Sequence, residues 1–222
     1  MPPDPGEIEV LAPPAASPVS RETRTSLEVY RALLAKWQAR MNLIGPGTLD
    51  EFWQRHVADS LQILDLAPRA RKWIDLGSGA GFPGMVIAIA QSGHEGSRHI
   101  LVEANSRKCA FLREAARTTG TRIKIVQDRI ESVAERLAAE VAPDIVTARA
   151  LAPLTELFGH LRPFLATGAA ALIHKGRDWR REIADCGGLE SCNLVVHESR
   201  IEAGSVVLEI RSGRAAAGAP AS

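Results

Sequence analysis

From Lys72 onward the chain alternates short apolar runs with amphipathic stretches, a pattern that few folds accept. Residues 73–76, 100–103, 123–127, 145–148 and 170–174 have strand length and an apolar interior. Between them, helices are predicted near residues 83–92, 106–119, 132–140, 153–165 and 179–185. Buried strands with a helix after each imply a parallel sheet covered on both faces, because parallel neighbours need a crossover connection. The expected fold class is therefore α/β, Rossmann-like, with a mostly parallel sheet. Residues 194–198 and 206–210 have no helical stretch between them, which predicts an antiparallel hairpin at the sheet edge.

Upstream, Leu27, Tyr30, Leu33, Leu34, Trp37 and Met41 recur at helical spacing behind Ser20, a suitable N-cap. Thr48-Leu49-Asp50-Glu51 reads as a capping box opening a second helix with Phe52, Trp53, Val57, Leu61 and Leu64. Residues 20–70 are thus expected to form an N-terminal helical extension ahead of a domain spanning 71–212. Residues 1–19 hold six of the 13 prolines and are expected to be a flexible arm. A disordered tail is expected over 213–222.

With 27 Lys and Arg against 26 Asp and Glu, a wholly basic nucleic-acid binder is excluded, while a local basic patch stays open. Cys109, Cys186 and Cys192 show no C-x-x-C spacing, which argues against a disulfide framework or structural zinc and for a reducing compartment. No metal site is expected. No apolar run approaches the roughly 18 residues of a membrane span. The first basic side chain, Arg21, follows a proline-rich acidic lead, so no secretory signal is expected. The chain reads as cytoplasmic, without a membrane partner, and monomeric.

The segment WIDLGSGAGFPG places Gly77, Gly79, Gly81 and Gly84 directly behind a strand, with Pro83 at the start of the next helix. Glycine there permits positive φ and close approach of a ligand to the backbone, and helix N-terminal amides favour an anion. A dinucleotide frame can be forced at Gly79, Gly81 and Gly84 with Glu103 as ribose acceptor. A frame starting at the strand end instead puts Phe82 where glycine is wanted, and no substrate domain follows. S-adenosylmethionine fits better: its carboxylate can meet the loop amides, Glu103 ends the second strand near its ribose, and Asp128-Arg129-Ile130-Glu131 follows the third. Read alone, Glu103 is equally a solvated strand-end acid, and Glu131 a helix-start acid favoured by the dipole.

WIDLGSGAGFPG, LVEANSRKCAFL, DRIES, VTARALAPL and HKG occur in the order seen in the small-subunit ribosomal RNA guanine-N7 methyltransferases, RsmG or glucose-inhibited division protein B, which the chain resembles over residues 41–176. The upstream MNLI and RHVADSL resemble that family's helical region. The resemblance implies a class I S-adenosylmethionine-dependent methyltransferase fold. It also implies methylation of a guanine N7 of 16S ribosomal RNA, nucleotide 527 in a loop of the decoding region, on the small subunit or its assembly intermediate. Cofactor contacts carried over by motif are Gly77 and Phe82, Ile130 and Glu131, and Arg149. Gly79 joins them as part of the loop, and Glu103 from its strand-end position.

Guanine N7 presents an in-plane lone pair, so its methylation needs alignment rather than a general base. Consistent with this, the chain has neither an Asn-Pro-Pro-aromatic tetrapeptide nor a Pro-Cys nucleophile. Substrate-positioning candidates are Arg149, Lys175 and His56. Arg149, past the fourth strand, is placed to bind cofactor, guanine O6 or a phosphate. Lys175 opens the basic HKGRDWRR segment, a candidate phosphate contact or a solvated helix start. Eight basic residues against three acids over 98–129 would extend an RNA footprint or simply face solvent. His56, Asp59 and Ser60 share a helical face, which suits a cleft lining or a structural network better than a hydrolytic triad. Cys109 is expected in the core. A nicotinamide-dependent oxidoreductase and a non-catalytic RNA-binding module are the alternatives.

Overall fold

The structure is a computed structural model describing residues 10–12 and 18–213. Eight strands form one sheet: β1 (Val10–Leu11), β2 (Lys72–Leu76), β3 (Arg98–Val102), β4 (Lys124–Val126), β5 (Ile145–Arg149), β6 (Ala170–Lys175), β7 (Cys192–Glu198) and β8 (Val206–Ser212). Their spatial order is β1-β7-β8-β6-β5-β2-β3-β4. The pairs among β2 to β6 are all parallel, and β8 runs antiparallel between β6 and β7. The apolar runs thus became strands because each is sandwiched: β2 is buried from Trp73 to Leu76 and β6 from Ala170 to Ile173.

The described residues form seven α-helices, α1 (Arg21–Gln38), α2 (Asp59–Leu66), α3 (Gly84–Ala90), α4 (Ser106–Thr119), α5 (Ile130–Val141), α6 (Leu154–Ala166) and α7 (Trp179–Asp185). One face of the sheet is closed by α5, α6 and α7 through Leu137, Leu157, Leu161, Phe164 and Ile183. The other face carries α3 and α4, and α1 packs on them: Leu27, Tyr30 and Leu34 share one core with Met85, Val86, Phe111 and Leu112. The core therefore runs unbroken across the expected boundary at residue 70. Tyr30 is fully buried and donates its hydroxyl proton to the carbonyl of Ala80 in the glycine turn.

Ser20 caps α1 as expected, accepting from the amide of Thr23. Met41 lies past the end of that helix. The capping box does not form. Thr48 donates to the carbonyl of Gly45, Glu51 pairs with Arg55, and the chain enters a π-helical segment, Phe52–Ala58, before α2. The amide of Asp59 reaches the carbonyl of Gln54, five residues back, so this wide turn runs directly into α2. Within the expected arm, Val10 and Leu11 pair in parallel with Val196 and His197, capping the β7 edge that the hairpin was expected to end on. The rest of residues 1–9 and 13–17, and the expected tail beyond Gly213, lie outside the described residues. Among the described residues no helix is long and apolar enough to cross a membrane, no cluster of three metal-binding side chains occurs, and the cysteines are free.

At the end of the sheet opposite the glycine turn, His99 is buried with neither ring nitrogen hydrogen-bonded. Burial pushes its pKa down to about 4. Its contribution is therefore complete above the unfolded value of about 6.5 and is lost as pH falls from there through the folded value, where the unfolded chain binds the extra proton. His99→Leu is expected to flatten the pH dependence between those limits and to add about 1 kcal/mol at neutral pH by removing unpaired polar atoms. Urea unfolding of both proteins at pH 7 and pH 5 checks this; an equal loss of stability on acidification would assign the effect elsewhere.

Candidate active site

Strand order reverses about β2, with β3 and β4 on one side and β5 and β6 on the other. Where order reverses, the loops leaving neighbouring carboxyl ends turn opposite ways and open a crevice. Here the glycine turn after β2 faces the Arg149–Pro153 loop after β5, in a cleft of about 1240 Å³. The π-helical segment supplies its third wall through Arg55 and His56, with Asp59 beyond them. Of the expected site residues, Gly77, Gly79, Phe82, Arg149, Lys175 and His56 all line this one cleft. Glu103, Ile130 and Glu131 are not among its lining residues: Glu103 follows β3 and reaches the Gly79 amide, while Ile130 and Glu131 open α5.

The turn is bare for two different reasons. Gly77 has φ +64°, and a Cβ there would stand 2.3 Å from Cδ1 of Leu151, so its empty space is filled by the protein itself. Gly79, at φ +56°, has nothing closer than 3.8 Å to such a position and is where a ligand can approach the backbone. Fewer turn amides are free than expected. Those of Ser78, Gly81 and Met85 donate to Val102, Ser78 and Gly81 carbonyls. That of Gly79 donates to Glu103, whose other carboxylate oxygen accepts from Asn105. Glu103 is thus a buried clamp rather than a solvated acid, and each of its oxygens keeps a further lone pair for another donor. Asp75, beneath the turn, accepts from Thr147, while its second oxygen has no partner; burial pushes its carboxyl up to about 6.

Arg149 is the hub of the opposite wall. Its Nη1 donates to Asp59 at 3.0 Å and to the carbonyl of Arg55 at 3.1 Å, and Nη2 donates to Nδ1 of His56 at 3.2 Å. The guanidinium lies 5.0 Å from the ring centroid of Phe82. His56 stacks on the same ring, 4.5 Å away and 19° from parallel. Burial, reinforced by Arg149, lowers the His56 pKa to about 4. For Asp59, burial pushes upward, but His174 and Arg149 outweigh it and hold the carboxyl at about 2. Ser60 turns away and donates to the His56 carbonyl, so the shared face of His56, Asp59 and Ser60 holds no triad.

Lys175 departs from the phosphate-contact reading. Its side chain is 7% exposed, its ammonium sits 2.6 Å from Glu182, and it also donates to the carbonyl of Ala152. Glu182 accepts in turn from the amide of Leu154. The pair therefore braces the loop that carries Leu151, and the neighbouring Arg177, Arg180 and Arg181 are the exposed cations of that segment. Ile130 opens α5 and packs in the core; Glu131 is exposed. Along α4 and β4, Arg107, Arg113, Arg117, Arg122 and Lys124 are all exposed. Cys109 is buried in α4, as expected. Sequence reasoning gave no role to Leu151 or Glu182 and placed Tyr30 only on the apolar face of the first helix; what each one touches is set by the fold and not by local spacing.

The family model described as rRNA small subunit methyltransferase G (GidB) matches residues 23–202. A ribosomal RNA small subunit methyltransferase G from Methylorubrum populi is 52% identical over 167 residues, 75% of this chain and 78% of its own length. One from Chelativorans sp. is 45% identical over 195 residues, 88% and 91% of the two chains. Among solved structures, an O-methyltransferase from Bacillus cereus in complex with SAH is similar at a TM-score of 0.56 and 11% identity, covering 88% of this chain and 92% of its own. At that identity the likeness concerns the fold, and the fold is that of the class I S-adenosylmethionine-dependent methyltransferases. With its glycine turn, its Arg149 loop and the helical segment that walls the cleft all inside the matched residues, the chain belongs to the ribosomal RNA small subunit methyltransferase G family.

Proposed function

We propose that the protein methylates N7 of guanine 527 in 16S ribosomal RNA with S-adenosylmethionine as donor. The observation that carries the choice of atom is that the titratable groups gathered around Arg149 on the cleft wall are all engaged. His56 is held neutral with its one acceptor nitrogen occupied by Arg149, Asp59 is ion-paired, and the second nitrogen of His174 is buried. An exocyclic amine or a hydroxyl needs a proton taken away during transfer, whereas N7 offers its lone pair directly. A cleft built to align and to exclude water matches that demand.

The residues fit the donor. Gly79 leaves open space at the backbone and Glu103 has lone pairs for a ribose diol, while Ile130 and Glu131, at the start of α5, are assigned to the adenine by motif. With four amides of the turn and helix start already paired, Arg149 is the strongest partner for the donor's carboxylate. When bound, S-adenosylmethionine supplies an electrophilic methyl group on its sulfonium. The cleft volume exceeds what a small ligand fills, leaving room for a base beside it. Exposed arginines on α4 and α7 give the rim cations for phosphates. A cytoplasmic monomer acting on the small subunit or its precursor completes the reading.

Calorimetric titration with S-adenosylhomocysteine and NADH tests the donor, with binding of the first and none of the second expected. The atom is tested by incubating small subunits lacking the modification with enzyme and labelled donor, followed by borohydride reduction and aniline scission. Cleavage at guanine 527 is the expected result. Binding of RNA without transfer would instead leave a non-catalytic module, and preference for NADH an oxidoreductase.

A further inference from the structure

We infer that His56 is a positioning residue that acts through Arg149, orienting its guanidinium so that one edge stays available to a ligand in the cleft. This rests on the reading of Arg149 as the partner of the donor's carboxylate. A guanidinium has five N–H donors and no acceptor. Three are engaged by the segment entering α2: Asp59 and the Arg55 carbonyl take both protons of Nη1, and His56 Nδ1 takes one from Nη2. Among the described residues no other acceptor meets Arg149. What remains is Nε–H together with the second Nη2–H, two parallel donors on one edge, the geometry that grips a carboxylate with two bonds. Without the His56 bond the planar group can swing about Cδ–Nε within the ion pair, and the free pair of donors loses its fixed direction.

The hydrogen bonds have only one consistent direction. Because Arg149 can only donate, Nδ1 of His56 accepts and its proton sits on Nε2. That proton goes to Thr48 Oγ1, 3.1 Å away, whose own hydroxyl donates to the Gly45 carbonyl at 2.9 Å. Thr48 thus selects the tautomer that can receive Arg149. Phe82 fixes the plane, since the imidazole stacks on its ring and the guanidinium lies over the same ring. A histidine that only filled space would need none of these directed bonds.

The test separates acceptor from packing. His56→Phe keeps a ring on Phe82 and removes the acceptor; it should raise the Kd for S-adenosylhomocysteine about tenfold, the loss expected of one hydrogen bond to a charged group. His56→Asn places an oxygen near the Nδ1 position and should recover affinity to within about threefold, although its stacking is gone. Thr48→Val, at a partly exposed site that leaves the fold intact, should lower affinity in the same direction by freeing the tautomer. In an Arg149→Ala background, His56→Phe should have no further effect on Kd. Unchanged affinity in His56→Phe, additive losses in the double variant, or His56→Asn as weak as His56→Phe would each overturn the assignment. Absence of binding by the unaltered protein would overturn the donor reading itself. If His56→Phe does not fold, the Thr48→Val and His56→Asn titrations decide alone.

Discussion

Gly77→Val is expected to weaken S-adenosylhomocysteine binding by about 100-fold or more and to destabilise the fold measurably. The residue sits at φ +64°, where a branched side chain costs ~1–3 kcal/mol. Its Cβ would also fall 2.3 Å from Cδ1 of Leu151, an overlap that forces a rearrangement costing another ~1–3 kcal/mol. The direct collision is with the protein's own leucine. The ligand is lost because Leu151 and the turn move apart, and Gly79 and Arg149 no longer face the same space. Adding Leu151→Ala should relieve the overlap and recover part of the stability, but not the part owed to the positive φ. Thermal unfolding and calorimetry on the single and double variants measure both quantities. Full recovery in the double variant would make the backbone argument wrong.

Arg149→Ala should have the other large effect, in two readouts that Arg149→Lys pulls apart. Loss of two charge-assisted donors to a carboxylate should reduce donor affinity by about 100-fold or more. Stability at neutral pH should fall by about 1–3 kcal/mol, less than for a fully buried pair, because both partners are about one-sixth exposed and Asp59 retains His174 and Gln62. The sign of the pH effect follows from Asp59. Its folded pKa, about 2, lies below the unfolded value of 3.8, so its stabilisation is present above 3.8 and is lost as pH falls through 2. With Arg149 gone, burial is opposed only by His174 and the Gln62 amide, the folded value climbs, and acid unfolding should begin at higher pH. Lysine restores the charge but not the planar fork, so Arg149→Lys should regain much of the acid resistance and little of the affinity. Equal recovery of both would mean that charge, not geometry, is what the cleft requires.

The sheet was legible because its signal is local and strong. Apolar runs such as 73–76 and 170–173 can only be buried on both faces, and Asn105 with Ser106 starts α4 where the periodicity does. Six of the cleft's lining residues were legible for a related reason: each follows a strand end or lies in a recognisable motif. What did not read correctly was the direction of side chains. Thr48 and Glu51 have the spacing of a capping box, but Thr48's hydroxyl is taken by Gly45 and His56, a partner eight residues on. Lys175 ends its strand in a basic segment, yet its ammonium turns inward to Glu182, which folding alone brings within reach. Glu103 was placed correctly at the strand end, while its grip on the Gly79 amide depends on a turn 24 residues earlier.

The Tyr30 hydroxyl, joined to the carbonyl of Ala80, has a consequence for how the molecule breathes. Opening the first helix must release the Ala80 carbonyl of the glycine turn, so loosening of the helix and of the turn share one free-energy cost. A nucleoside bound at the turn is therefore expected to slow amide exchange in α1. Helix α1 is accordingly expected to report occupancy of the turn.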